Sequence, residues 1–273
     1  MFRIERRENA LTRAFTISEL IFHAAVRDAS KGYQNGGMAL LMNVLQTVIF
    51  IAAFYGMFAL LGIRGAAVRG DFLLYIMTGV FLFMAHIKAM GAVVGSDGPA
   101  SPMMKHAPMN TVISISAAAL SSLYLQTLSM LLILFAVHVA WRPVEIHDPS
   151  SAWLMLLVAW FTGVAIGMCL LAAKPWLPNF VQIASSIYSR INMVASGKMF
   201  VANALPSTIL PFFSWNPLFH TIDQTRGFTF INYNPYHTTW TYPVYVGLAL
   251  LMIGLMGEFY TRKRTSMSWF AAR

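Results

Sequence analysis

This sequence predicts an all-α, polytopic membrane protein, and three observations carry that prediction. Six long apolar stretches run Met38–Ile63, Phe72–Val94, Val112–Trp141, Trp153–Ala173, Phe180–Val201 and Thr241–Tyr260. A bilayer core about 30 Å thick takes roughly 20 apolar residues per helical crossing. Hydrophobic residues make up 58% of the 273 and charged residues 11%, well below the roughly one quarter charged of soluble domains. The third observation is how the cations sort. With six crossings, Arg3, Arg6, Arg7, Arg13, Arg27, Lys31, Lys105, Lys174, Arg262, Lys263, Arg264 and Arg273 share one side. Arg64, Arg69, Arg142, Arg226 and Lys198 fall on the other, while Lys88 and Arg190 lie within spans. The positive-inside rule then places both termini in the cytoplasm. The net charge of +9 follows topology and implies no nucleic-acid partner.

Three regions result: a cytoplasmic N-terminus over 1–37, a six-helix transmembrane domain over 38–260 and a basic cytoplasmic tail over 261–273. No apolar stretch with a small-residue cleavage site precedes Met38, so no cleaved secretory leader is expected. Cys169 is the single cysteine, which excludes an intrachain disulfide and a cysteine zinc site.

Thr16–Lys31 reads as an amphipathic helix on the membrane surface. Ile17, Leu20, Ile21, Ala24 and Ala25 recur on one face, with Glu19, Arg27, Asp28 and Lys31 largely off it. Thr16 or Ser18 is its expected N-cap. The helix serves as an anchor, as a grip for a cytosolic partner, or as both. Gly32–Gly37 breaks it before the first crossing. That crossing carries Asn43 and Gln46 on one face; the second ends in His86 and Lys88, where Lys88 is expected to snorkel to the interface. The connection that follows is bracketed by Pro99, Pro102 and Pro108 and reads as one short, stiff helix that contacts a partner. Val112–Trp141 is longer than a crossing requires and should tilt or project. Arg142, Glu145, His147 and Asp148 then form a short outer loop expected to be solvated, and Lys174–Pro178 a tight inner turn with Trp176 at the interface.

The fifth stretch is the least apolar. Gln182, Ser185, Ser189, Asn192 and Ser196 follow three- and four-residue steps and share one stripe, with Arg190 and Lys198 beside it. Polar groups facing hydrocarbon are costly, so the stripe meets protein or water. It is either a small-residue packing seam or a hydrated, substrate-facing surface. From Val201 to Trp240 the chain holds four prolines and a dense aromatic set. Leu205–Phe213 and Leu218–Thr225 are too short to cross and suit two half-helices that dip into the outer leaflet and return. The rings form an interfacial belt or stack on sugar faces.

No G-x-x-x-x-G-K-[ST] occurs, so the chain has no nucleotide-hydrolysing loop of its own. No carboxylate lies within a span interior, where ion-driven carriers place theirs. Energy is expected from a partner, or transport is passive. No catalytic or metal-ligating set is evident. His220 and Asp223, three apart, are the nearest thing to an acid–base pair or a metal fragment, and read better as polar contacts, with Arg226 a further partner for Asp223.

Three segments carry a resemblance. Val26–Tyr33, Met104-Lys105-His106-Ala107-Pro108 and Ser214-Trp215-Asn216-Pro217-Leu218-Phe219-His220-Thr221-Ile222-Asp223-Gln224-Thr225-Arg226 resemble, in their order along the chain, the membrane subunit of type-2 ABC exporters of capsular polysaccharide and O-antigen. The resemblance implies a homodimeric pore in the bacterial inner membrane, driven by a separate cytosolic ATPase subunit that binds the ATP and Mg. Arg27, Asp28, Met104, Lys105, His106 and Pro108 would contact that ATPase. Gln182, Ser185, Ser189, Arg190, Asn192, Ser196 and Lys198 would line the translocation path. Trp215, Asn216, Pro217, His220, Asp223, Arg226, Tyr233, Tyr236 and Trp240 would form the outer gate. Membrane lipid and periplasmic or outer-membrane export proteins are the other expected partners. Two readings stand beside it: an ABC permease of the same fold exporting lipid or small molecules, and a membrane-embedded sugar or lipid transferase.

Overall fold

The structure, a computed structural model, describes residues 10–30, 32–33, 35–62, 68, 70–96 and 111–271. The described residues are mostly helical, with no strand among them. In chain order the helices are α1 (Ala10–Ala29), α2 (Gly36–Leu60), α3 (Phe72–Val94), α4 (Thr111–Ala140), α5 (Pro149–Ala173), α6 (Pro178–Ala195), α7 (Leu210–Ser214), α8 (Pro217–Thr229) and α9 (Thr241–Ala271). Five of them, α2, α3, α4, α5 and α9, are long and apolar enough to cross a membrane. That makes this a multi-pass membrane protein by the length and composition of its helices. The fifth predicted crossing, Phe180–Val201, appears as the shorter α6, which ends at Ala195 and is too polar to join those five.

Helix α3 lies at the centre. It is buried from Leu74 through His86 and packs against α2, α4, α5 and α8. Its closest neighbour is α5, where a Cβ at Gly163 would collide with the backbone of His86. A small residue there lets two apolar helices meet at backbone distance, the usual device where lipid supplies no hydrophobic drive between helices. The main core joins Phe54, Phe58, Tyr75, Met77, Phe81, Phe83, Leu156, Leu218 and Ile222. Helices α2, α4 and α9 turn large apolar side chains such as Leu41, Leu45, Leu131, Phe135, Met252 and Met256 outward, as helices bordering hydrocarbon do.

Four elements depart from the sequence reading. Helix α1 starts upstream of Thr16, which places Ser18 inside it; its hydroxyl donates to the Phe15 carbonyl (2.8 Å) and caps nothing. The helix also packs along α4, with Ile21, Ala24 and Ala25 half-buried. Helix α5 begins four residues before Trp153, because Asp148 accepts from the Ser151 backbone N–H (3.1 Å) and Pro149 takes a first-turn position. The loop around Asp148 is therefore not merely solvated: the backbone N–H groups of His147 and Asp148 donate to the carbonyls of Thr229 and Phe228 at the end of α8. Helix α9 continues past Tyr260 through Arg262, Lys263 and Arg264, so the basic tail prolongs the last crossing.

Candidate functional site

The polar stripe of α6 divides into two parts with different surroundings. Toward the α5–α6 turn, Gln182, Ser185, Ser186, Ser189 and Arg190 face α3 across a groove of about 650 Å³. The opposite wall is Ile87, Met90, Gly91, Val94 and Gly95, and the turn contributes Lys174, Pro178 and Asn179. The other side of α6 exposes Ile183, Ile187, Ile191 and Val194. One helix thus presents an apolar face outward and a hydroxyl, amide and guanidinium face inward. Ser185 and Ser189 spend their protons on their own helix, donating to the carbonyls of Gln182 (3.0 Å) and Ser185 (2.8 Å). Lys174 donates to the Val94 carbonyl at 2.6 Å, fixing the turn to the end of α3. Among the described residues no acidic one lines the groove.

Beyond the groove the stripe becomes structural. Tyr188 donates its hydroxyl proton to Nε2 of His86 (2.8 Å), whose Nδ1–H points to the Ala159 carbonyl and Thr162 Oγ1, both at 3.0 Å. The carbonyl, which can only accept, fixes that tautomer. Asn192 is buried and accepts at Oδ1 from Asn216 Nδ2 (2.9 Å), which also donates to the Ala195 carbonyl (3.0 Å). Ser196 is buried with no partner for its hydroxyl among the described residues. Lys198 was expected on the path but is 3% exposed. Its Nζ has no acceptor among the described residues and sits 3.6 Å from the Phe83 ring centroid and 4.5 Å from that of Phe54. The rings cage its amine.

The segment expected to be an outer gate is largely a buried polar core. Asn216 caps α8, accepting from the Leu218 N–H (3.0 Å), and Pro217 fills the first turn; this accounts for the Trp-Asn-Pro sequence. Helix α8 is buried on every face, so each of its polar groups needs a partner. Asp223 Oδ1 accepts from the Tyr233 hydroxyl (2.6 Å) and the Ala202 N–H (3.1 Å), and Oδ2 from the Thr238 hydroxyl (2.8 Å). Burial and the Asp223 carboxylate raise the Tyr233 pKa, which keeps that hydroxyl a donor. Tyr233 is thus no part of an aromatic belt, whereas Trp215, Tyr236 and Trp240 are exposed.

Arg226 is 0% exposed and does not pair with Asp223 as expected. Its guanidinium donates to the carbonyls of Gly197 (2.8 Å), Phe200 (2.5 Å) and Lys198 (2.6 Å) and lies over the Tyr75 ring. Those carbonyls converge because Gly197 turns the chain at φ +74°, where a Cβ would also meet the Phe219 ring. His220 donates from Nε2 to the Ser214 carbonyl (2.7 Å) and accepts at Nδ1 from the Thr239 N–H (3.1 Å). With both nitrogens engaged and its pKa lowered by burial, it is a neutral structural link. The His220/Asp223 pair therefore offers no acid–base couple. Among the described residues no group of three His, Cys, Asp or Glu could hold a metal.

Two further expectations meet the structure. Lys88 does not snorkel: its ammonium is bound by Asn43 Oδ1 and by Gln46 Oε1 (2.7 Å) on α2, because those amides face it across the helix pair. Asn43 in turn donates to Ser129 Oγ of α4 at 2.7 Å. Of the docking residues, Arg27 is exposed and Asp28 half-buried at the end of α1, while Met104, Lys105, His106 and Pro108 lie outside the described residues. The sequence reading passed over Tyr188 and Gly91 and placed His86 only at the end of the second crossing, because their roles depend on helices distant in sequence. The chain matches no known family model, and no curated protein matches it either.

Proposed function

We propose that this chain is the permease subunit of an ATP-driven exporter that moves a polysaccharide or glycolipid-linked polymer across the bacterial inner membrane. In this reading α6, about 27 Å long at 1.5 Å per residue, and the turn after it complete a sixth crossing. Helices α7 and α8 enter from the outer side and return, and both termini are cytoplasmic. Two copies form the pore, and a separate ATPase subunit binds ATP and Mg. That subunit docks at Arg27 and Asp28 and at the segment with Met104, Lys105, His106 and Pro108. Trp215, Tyr236 and Trp240 meet the emerging polymer or the outer interface.

The observation that carries the reading is the groove at Gln182, Ser185, Ser189 and Arg190: a polar face of α6 with a guanidinium, set against an apolar wall of α3. The sequence provides no nucleotide loop to energise movement along it, which is why a motor subunit belongs to the proposal. The groove's apolar α3 wall also favours a second reading, a permease of the same fold exporting lipid or small molecules. The decisive test is reconstitution into proteoliposomes with and without the co-purified ATPase, using a labelled lipid-linked glycan. ATP-dependent movement that needs both proteins is expected. Movement by this chain alone would overturn the proposal, and preference for a sugar-free lipid would favour the second reading.

A further inference from the structure

We infer that the cleft between α1, α2 and α4 is a binding site for an acyl chain of a bilayer phospholipid. The inference goes beyond the permease reading and does not depend on it. Helix α1 packs along α4 and touches α2 far less, so a wedge stays open between them. That wedge is a cleft of about 990 Å³, at the upper end of the few hundred to about 1,000 Å³ typical of ligand sites. Small residues keep it open. Ala25 and Ala29 on α1 stop at Cβ, and a Cβ at Gly36 or Gly37, at the start of α2, would meet nothing within 4 Å.

Three features decide the occupant. Among the described residues no charged side chain lines the cleft, and Ser18 spends its hydroxyl proton on the Phe15 carbonyl. Water needs several polar partners, whereas an apolar cavity stays dry and takes up apolar molecules. Phe22, Val26, Leu120 and Tyr124 both line the cleft and are exposed, which makes them its mouth. Two of its walls also belong to helices already turned to hydrocarbon, α2 through Leu41 and Leu45 and α4 through Leu131 and Phe135. The cleft is thus continuous with the lipid-facing surface, and its occupant enters from the bilayer. Because α1 leads into α2 through the short connection 30–35, the wedge closes at that end. A flexible hydrocarbon chain fits such a taper; a helix of a second copy, about 10–12 Å across with its side chains, does not.

The test is tryptophan quenching on the purified full chain in mild detergent, titrated with a phosphatidylcholine whose acyl chain is dibrominated near its middle. Trp153 lines the cleft, and its signal is the difference between the parent and Trp153→Phe. That component should be quenched saturably, with a single lipid per chain. Glycerophosphocholine, the same headgroup without chains, should not displace the lipid. Gly37→Leu and Ala25→Leu fill the cleft from different walls, and leucine suits a helix better than glycine. Binding should weaken by about tenfold or more in at least one of them, with the thermal stability of Gly37→Leu at or above the parent value. Quenching that rises without saturation, displacement by glycerophosphocholine, or unchanged affinity in both variants overturns the inference. Absence of quenching together with a smaller assembly for Gly37→Leu in sedimentation overturns it too, and assigns the cleft to a second copy of this chain. Neither ATPase nor transport enters the measurement, so its failure is distinct from a failure of ATP-driven export in vesicles.

Discussion

Replacing Arg226 by methionine is the sharpest probe of the fold. The side chain is fully buried and donates to three carbonyls at 2.5 to 2.8 Å. A hydrogen bond to a charged group contributes about 1.5–3 kcal/mol, so three lost bonds forfeit roughly 5–9 kcal/mol. Removing the guanidinium also removes its desolvation cost of several kcal/mol, and methionine recovers part of the packing over Tyr75. The net loss should be about 3–5 kcal/mol, a large share of the roughly 5–15 kcal/mol that holds a folded chain. Denaturant titration in detergent micelles, with a midpoint shift at constant slope, measures it. Arg226→Lys should recover little, because a single ammonium cannot reach three carbonyls held in a fork. A loss below about 1 kcal/mol in the methionine variant would refute the reasoning.

Four other outcomes are expected. Lys198→Met should leave the same midpoint within about 1 kcal/mol or raise it, since the caged amine has ring contacts but no acceptor among the described residues; a large loss would show that an acceptor is engaged. Hydrogen bonds from Ser150 and Ser151 hold the Asp148 carboxyl at about 2. Its stabilisation of α5 is therefore complete above the ordinary carboxylate value and fades as pH falls through about 2; Asp148→Asn should flatten that part of the pH–stability curve, and an unchanged curve counts against the cap. Lys105→Glu or Pro108→Ala should reduce co-purification of the ATPase without affecting membrane insertion, and full recovery with both would move the docking point elsewhere. Trp215→Ala with Trp240→Ala should lower surface polymer more than protein level; wild-type polymer would leave these rings as lipid anchors only.

Helices α2, α3, α4, α5 and α9 were legible because each is a long apolar run, and length alone identifies a crossing. Boundaries shifted where capping chemistry intervened: Asp148-Pro149 carried an N-terminal signal that the apolar count ignored. The stripe on α6 was readable from three- and four-residue steps, but not its division into groove and joint, which depends on His86 and Asn216 arriving from other helices. Helix α8 was recognised only as a short segment. A helix buried on all faces and rich in Thr, Asp, Gln and Arg has no apolar periodicity to find, and the partners of Arg226 are backbone carbonyls that any sequence supplies. Lys88 shows the same limit, since Asn43 and Gln46 were noticed on α2 but their pairing belongs to three-dimensional packing.

The unequal attachment of α6 has a mechanical consequence. Near Asn192 it is bolted to α8 through Asn216, while the end at Pro178 faces α3 across the groove and is tied to it through the Lys174–Val94 hydrogen bond. Fourteen residues separate those points, about 21 Å of helix. A swing of about ten degrees about the bolt would carry the far end some 4 Å while barely stirring Asn192. Such a lever would widen the groove at the Pro178 end and leave the Asn192 joint still.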